Sequence, residues 1–400
     1  MKRTTCSACG GADLDMFLDL GESPIADAYT ASQDDVSPTY PLQVAVCSKC
    51  LLVQLLEVVD AETLFGTGYS FYSSASKPLS EYHCNYAADV IDDYSSLAMR
   101  GVVEIGCNDG DMLRHFQGFS HIGVDPAIGP TDVARKRGLN VITKSFGLNV
   151  AHSIRDQRGR QGLIIANHVL AHVADVADIL AGINALLVDD GVAFIEVQYL
   201  PDLLVNNAFD LVYHEHRNFF SLTSLQQAAI RHNLHVIGAQ LTNRQGGSLR
   251  VTLAKQSHVS GAVNRLLKSE HWLTSFSAYD GMQGRAERIR RRLIDILNEL
   301  PGQVAGYGAP AKATTLLNFC GITHNDLDYV IDSTPAKQGR FIPGTGIQIV
   351  KPTDWLERPP PNVYLLLAWN YAREIIQRNS PGFSERDGRW VIPIPAPVVI

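Results

Sequence analysis

A chain of 400 residues, 46% of them hydrophobic and 19% charged, can bury more than one core and is too long for one ordinary domain, so two or three domains are expected. Its 34 Lys and Arg are outnumbered by 41 Asp and Glu, and a formal charge of -7 argues against a protein held on nucleic acid by phosphate neutralisation. No apolar run approaches the roughly 18 residues of a membrane helix, and Met1-Lys2-Arg3 leads into no signal-peptide stretch, so a soluble cytoplasmic protein with no membrane partner is expected.

Seven cysteines are too few for a disulfide scaffold at this length, and their spacing is informative. Cys6-Ser-Ala-Cys9 and Cys47-Ser-Lys-Cys50 are two CxxC pairs, each able to turn tightly and aim two thiolates at one metal. Four sulfurs fill a tetrahedral shell and leave no place for water. The expected cofactor is therefore a structural zinc that folds a small first domain, residues 1–70, with too little core of its own. The competing reading, unrelated reduced thiols, needs both spacings to arise by accident. Cys84, Cys107 and Cys320 stand alone and are expected to be small buried hydrophobes.

Residues 71–257 read as a doubly wound α/β domain of the Rossmann kind. A polar helical stretch at about 77–94 precedes Gly101-Val-Val-Glu104-Ile-Gly106-Cys-Asn108-Asp109-Gly110, an apolar strand entering a Gly-rich turn. Glycine has no Cβ and Asn tolerates a left-handed conformation, so such a turn can approach a ligand closely. The pattern lacks the middle glycine of the dinucleotide fingerprint. Asp125 ends a second strand about twenty residues after the turn, where an acid can bind a ribose diol. Strands at 162–168, ending at Asn167, and at 191–197 follow, with helices between them; this alternation specifies a parallel sheet. Glu104, Gly106, Asn108, Asp109, Gly110, Asp125 and Asn167 are the candidate cofactor-binding residues at the carboxyl ends of these strands. NAD and S-adenosylmethionine both fit the crevice. The second is favoured because Asp109 and Asp111 place negative charge at the turn, which repels a diphosphate and suits a sulfonium.

Between the fourth strand and a later one lies Tyr213-His214-Glu215-His216, within Phe209 to Ser221. Two imidazoles, a carboxylate and a phenol within four residues suit removal of a proton from carbon and stabilisation of the resulting oxyanion. His168 and His172 stand one helical turn apart after the third strand. A metal site at His214 and His216 lacks a spaced third ligand. His232, His235, His258 and His271 are expected to be solvated.

Residues 258–400 begin with a helical region over about 260–300, whose arginines at 288–292 form a solvated face or dock a diphosphate. Gln303 to Pro310 then reads as a strand, a Gly-rich turn and a helix start, followed by strands at 327–332, 363–368 and 390–394. This is a second, Rossmann-like α/β unit. The loop from Lys337 to Gly344 has the glycines and cations of a phosphate-facing loop. The unit either contributes to ligand binding or only packs against the middle domain.

Taken together, the paired CxxC, Tyr69-Ser-Phe-Tyr72-Ser-Ser-Ala-Ser76, EIGCNDG, the segment from Asn167 to His172, YHEH with Phe220-Ser221, GGSLR at 246–250 and Gly306-Tyr-Gly-Ala-Pro-Ala-Lys312 resemble the nucleotide-sugar C-methyltransferase family of deoxysugar biosynthesis nearly end to end. The resemblance implies a zinc-binding, a central methyltransferase and a C-terminal Rossmann-like domain. It also implies methylation by S-adenosylmethionine of a ring carbon beside the keto group of a nucleotide-linked hexose, commonly a dTDP-4-keto-deoxyhexose. The family's catalytic histidine falls on His216 as base, its motif tyrosine and glutamate on Tyr213 and Glu215, and its histidine after the third strand on His172. Its remaining tyrosine falls on Tyr69, with Tyr72 as the alternative. His214 stands where some relatives carry Asp, which leaves the substrate subtype open. Tyr69, Tyr213 and His172 are then the donors for the enolate oxygen, and Glu215 would hold the imidazole of His216. The implied partner is the nucleotide sugar, with no nucleic acid, and a monomer is the expectation. Two rival readings remain: a nicotinamide-dependent oxidoreductase using the Gly306 to Gly308 turn, and a zinc-containing RNA methyltransferase.

Overall fold

The two CxxC turns come together at the start of the structure. In this computed structural model, which describes residues 1–65, 71–242, 247–258, 260–352, 361–383 and 388–400, the sulfurs of Cys6, Cys9, Cys47 and Cys50 lie within 4.8 Å of one another. The Sγ atoms of Cys6 and Cys50 are 3.5 Å apart and those of Cys9 and Cys47 3.6 Å. A zinc ion with Zn–S bonds of about 2.3 Å needs tetrahedral edges of about 3.8 Å, so the donor set fits the metal. The backbone N–H groups of Ala8 and Gly11 point at the sulfurs of Cys6 and Cys9 from 3.5 and 3.4 Å, as thiolates require. No other group of three or more metal-ligating side chains occurs among the described residues.

The second knuckle is aimed by the sheet that leads into it. Strands β1 (Leu14–Pro24), β2 (Thr39–Cys47) and β3 (Val53–Leu55) are antiparallel, and β2 ends on Cys47.

The central sheet is built from β4 (Val102–Ile105), β5 (His121–Val124), β6 (Val141–Ile142), β7 (Gln161–Asn167) and β8 (Leu187–Gln198), all parallel. Strand β9 (Asn218–Phe219) leaves this unit to pair with β3, so the middle of the chain completes the first sheet. Strands β10 (His235–Thr242) and β11 (Ser248–Ala254) close the central sheet, in the order β10-β11-β8-β7-β4-β5-β6, with β11 running against both neighbours. Its strands are apolar without alternation because both faces are covered. Tyr86, Ala87 and Val90 of helix Lys77–Ala98 pack on Val102, Leu163 and Phe194, while Ile154, Ile179, Ile183 and Leu225 from three helices cover Val103, Ile105, Ile164 and Ile195 on the other side.

The third sheet comprises β12 (Val304–Tyr307), β13 (Val330–Ile331), β14 (Ile349–Val350), β15 (Val363–Leu366), β16 (Arg389–Ile392) and β17 (Val398–Val399). It is parallel apart from β17. Helices Met282–Glu299 and Ala311–Cys320 pack Ile289, Leu293, Leu316 and Leu317 against it and against Leu18, Leu42, Val44 and Val53 of the first sheet. The first and third units thus share one core.

Three local expectations change. The helical region at 260–300 breaks after Gly261–Ser269 and resumes at Met282, because Gly281 in a left-handed conformation (φ 77°) starts a new helix. Cys84 is exposed on its helix, whereas Cys107 and Cys320 are buried. Lys337 is turned inward: its Nζ donates to the Ala309 carbonyl at 2.8 Å and does not offer itself to a phosphate. No described helix is long and apolar enough to cross a membrane.

Because the first unit draws its order from the knuckles, Cys47→Ser is expected to lose zinc and to destabilise the chain by more than about 4 kcal/mol. Metal analysis with urea unfolding checks this; a zinc-free variant with the parental midpoint would contradict it.

Candidate active site

In the central sheet the chain starts at β4, adds β5 and β6 on one side, then returns to add β7 and β8 on the other. That reversal opens a crevice at the carboxyl ends of β4 and β7. A cavity of about 460 Å³ lies there. Gly106, Asn108, Asp125, Asn167, His168 and Gln198 line it from the sheet, and Asp27, His172, Tyr213, Glu215, His216 and Arg217 line it from the opposite side.

On the sheet side the geometry is set by backbone. Gly106 has φ +71°, and a Cβ there would sit 2.3 Å from Val169 Cγ2, so no other residue fits. Asn108 is also left-handed (φ 49°). Its N–H donates to Asp125 Oδ2 at 2.9 Å, and the Ala127 N–H donates to Oδ1 at 2.8 Å, which fixes the carboxylate while each oxygen keeps a second lone pair. The Asn108 side chain accepts from the Ser73 N–H at 2.9 Å and donates to the Phe71 carbonyl at 3.1 Å, seating Phe71 on the cavity wall. Asn167 Nδ2 donates to Met112 Sδ at 3.1 Å, while its buried Oδ1 has no hydrogen-bond partner among the described residues. A buried acceptor without a donor at a cavity wall fits the ammonium or hydroxyl of a bound cofactor.

Three of the expected cofactor residues lie outside the lining. Glu104 is fully buried within the sheet, where burial and then the neighbouring Asp125 charge push its carboxyl well up. Asp109 accepts from the Ser74 hydroxyl and pairs with Arg137 at 3.3 Å. Gly110 is a packing glycine, since a Cβ would meet Leu139 Cδ1 at 2.2 Å. Asp111 is likewise engaged, by Ser80 at 2.6 Å, His83 at 2.9 Å and Arg114 at 3.1 Å. The turn at Asn108 directs Asp109 to Ser74 and Arg137, and Asp111 to Ser80 and His83 of helix Lys77–Ala98, where each is engaged. The charge argument for a sulfonium therefore does not hold at this turn.

On the opposite side, Tyr213 to His216 form a turn closed by the His216 N–H on the Tyr213 carbonyl at 2.8 Å. β9 then anchors the turn. The N–H groups of Arg217 and Asn218 both donate to the Ala171 carbonyl, at 2.6 and 3.0 Å, and Asn218 Nδ2 donates to the carbonyls of Leu170 (3.0 Å) and Val173 (2.8 Å). Asn218 Oδ1 accepts from the Ser7 hydroxyl at 2.8 Å, inside the first zinc knuckle. The cysteine cluster therefore sits two hydrogen-bonded residues from the turn at Tyr213 to His216.

His216 Nδ1 donates to the Leu211 carbonyl at 3.0 Å, because a carbonyl can only accept. The neutral ring then keeps its lone pair at Nε2, which accepts from the Tyr213 hydroxyl at 2.7 Å. Burial, and then the neighbouring His172, hold this imidazole well below the ordinary histidine range. The two histidine rings are 5.1 Å apart. His172 Nδ1 donates to the Glu215 carbonyl at 2.6 Å, and burial lowers its pKa to about 4. It presents Nε2 as an acceptor, so it does not supply the hydrogen bond to an oxyanion that was expected of it.

Glu215 does not hold His216; the Leu211 carbonyl does. The Glu215 carboxyl instead reaches Asp27, whose N–H donates to Oε1 at 3.3 Å, and burial followed by the Asp27 charge pushes it up to about 8. His214 is buried beside Tyr40, away from the cavity lining, and forms no metal pair with His216. Tyr69 lies outside the described residues. Tyr72 points its hydroxyl toward Gly129 and is not in the lining. His168 has a left-handed backbone (φ 56°), so the helical turn expected from His168 to His172 is absent, although both reach the cavity.

Sequence reasoning missed Asp27, Gln198 and the Leu211 carbonyl. Gln198 ends a strand as Asn167 does and was open to the same argument. Asp27 lies in a loop of another unit, and a backbone carbonyl has no residue signature.

Comparison with known families defines the class of this crevice as that of a methyltransferase. Residues 6–65 match a zinc binding domain, residues 82–238 a methyltransferase domain, and residues 243–395 the C-methyltransferase C-terminal domain. C-methyltransferase NovU of Streptomyces niveus is 35% identical over 408 residues, covering 99% of this chain and 96% of its own. Among solved structures, an S-adenosylmethionine-dependent methyltransferase from Clostridium acetobutylicum ATCC 824 has a TM-score of 0.35 at 10% identity, over 44% of this chain and 92% of its own. The magnesium protoporphyrin IX methyltransferase of Synechocystis PCC 6803 has a TM-score of 0.34 at 11% identity, over 44% and 79%.

The chain belongs to the C-methyltransferase family. It is an S-adenosylmethionine-dependent C-methyltransferase of α/β fold with a zinc-binding N-terminal domain, and this displaces the oxidoreductase reading. Gly106→Ala is expected to weaken S-adenosylmethionine binding at least tenfold, read by calorimetry, since the new Cβ displaces Val169 and strains the turn. Unchanged affinity would remove this turn from the cofactor site.

Proposed function

We propose that the enzyme methylates a ring carbon next to the keto group of a nucleotide-linked hexose, a dTDP-4-keto-deoxyhexose, by way of an enolate. The observation that carries the reading is the locked tautomer of His216, whose one basic nitrogen belongs to a cavity shared with the cofactor crevice. S-adenosylmethionine, held by Gly106, Asn108, Asp125 and Asn167, supplies an electrophilic methyl carbon on a sulfonium.

The residues of the opposite wall do the rest. Nε2 of His216 takes the proton from carbon, the C–H electron pair passes into the enolate, and its carbon forms the new C–C bond as the methyl–sulfur bond breaks and leaves its electron pair on the departing thioether sulfur. Tyr213 holds Nε2 until the carbon acid replaces it, and its hydroxyl then donates to the substrate.

The nucleotide is assigned to the third unit. Its chain order also reverses about β12, between β13 and β15, and its helix Ala311–Cys320 reaches the catalytic segment through the Thr315 hydroxyl, which donates to the Val212 carbonyl at 2.8 Å.

His216→Ala is expected to lower methyl transfer by about 10²–10⁴-fold and to abolish deuterium exchange at the carbon beside the ketone, with zinc and cofactor binding intact. Turnover near the parental rate would remove it as base. Since the base must be neutral and its pKa is depressed, the acid limb of kcat is expected below the ordinary imidazole range.

A further inference from the structure

An enolate needs a donor at its oxygen. The neutral ring of His172 has its one N–H committed to the Glu215 carbonyl, and the Tyr213 hydroxyl is engaged by His216 until substrate binds. Glu215 is differently placed: its carboxyl is buried, Oε1 is held by the Asp27 N–H, and Oε2 has no hydrogen-bond partner among the described residues. A buried carboxylate with one oxygen unpaired is costly, whereas a carboxylic acid there needs only an acceptor.

We propose, resting on the reaction above, that Glu215 is the acid that donates a hydrogen bond to the oxygen on which enolate charge develops, and that Asp27 is its positioning residue. Asp27 lines the same cavity and acts on Glu215 twice, through the N–H that orients Oε1 and through a carboxylate that opposes a second negative charge beside it. The Asp27 carboxylate is itself placed by the Tyr29 hydroxyl, 3.2 Å from Oδ1, and Tyr29 is fastened to the Ala309 carbonyl at 2.9 Å. Other charged or titratable groups about the pair are His216 next in the chain and Arg217 after it, His172 on the Glu215 carbonyl, and Asp332 and Lys337 behind Tyr29. The proton on Glu215 stays on oxygen throughout: hydrogen leaves carbon to His216, and the donor group on Glu215 is unchanged at the end of the turn of catalysis.

The charge of Asp27 adds to burial in keeping Glu215 protonated up to about pH 8. Removing that charge lets the proton leave at lower pH. Asp27→Asn, which keeps the N–H, is therefore expected to move the alkaline limb of kcat down by about one pH unit, with a smaller loss of kcat on the acid side than at about pH 8. One component of the carboxylic-acid carbonyl band, distinct from that of buried Glu104, is expected by infrared titration of the whole protein without substrate to shift in parallel and to be lost in Glu215→Gln. Methyl transfer is read on a dTDP-4-keto-6-deoxyhexose. A limb and an infrared titration that stay in place in Asp27→Asn, with kcat depressed equally at every pH, would reduce Asp27 to a packing residue and overturn the proposal. The infrared titration needs no substrate, so failure of the reaction assignment, seen at His216, is distinguishable from failure here.

Discussion

One hydrogen bond, from His216 Nδ1 to the Leu211 carbonyl, decides which nitrogen can act as a base. Its net worth is only about 0.5–1.5 kcal/mol, but a buried donor left unpaired would cost about 1–3 kcal/mol, so the tautomer is strongly set. The carbonyl is fixed from the third unit, where Trp369 Nε1 donates to Asp210 at 2.6 Å and Thr315 holds Val212. The ring is fixed from the first, through β9 and the contact between Ser7 and Asn218. All three units meet on one imidazole.

That convergence explains what a metal remote from the chemistry contributes. The first sheet is small, and its apolar residues are covered by helices of the third unit. Zinc supplies the remaining order by closing the two knuckles, and one of them presents Ser7 to the catalytic turn. Thr314 of the same third-unit helix also donates to the Ala26 carbonyl at 3.0 Å, beside Asp27, so one helix braces both loops that carry the Glu215 environment.

The elements that a sequence announces are those whose physics is local. The CxxC turns, the strand and glycine turn at Gly106, the acid ending β5 and the YHEH cluster are of this kind, and the left-handed Asn108 follows from its side chain. What was not legible depends on direction and on distant partners. The same left-handed Asn108 that opens the crevice turns Asp109 and Asp111 away from it, toward Arg137 and His83, a consequence of dihedral angles that composition does not reveal. Adjacency in the chain paired Glu215 with His216, yet a tight turn sends neighbouring side chains apart, and the partner of each came from backbone far off: Asp27 for one, Leu211 for the other. The reversal of β9 into the first sheet had no signal beyond two apolar residues near Asn218.

Nitrogen-15 magnetic resonance of histidine-labelled protein, with His216 assigned by difference against a substituted chain, reads the tautomer without any substrate. The account requires a neutral ring at pH 7 with the proton on Nδ1 and an unprotonated Nε2. A proton on Nε2, or an imidazolium at that pH, would contradict it.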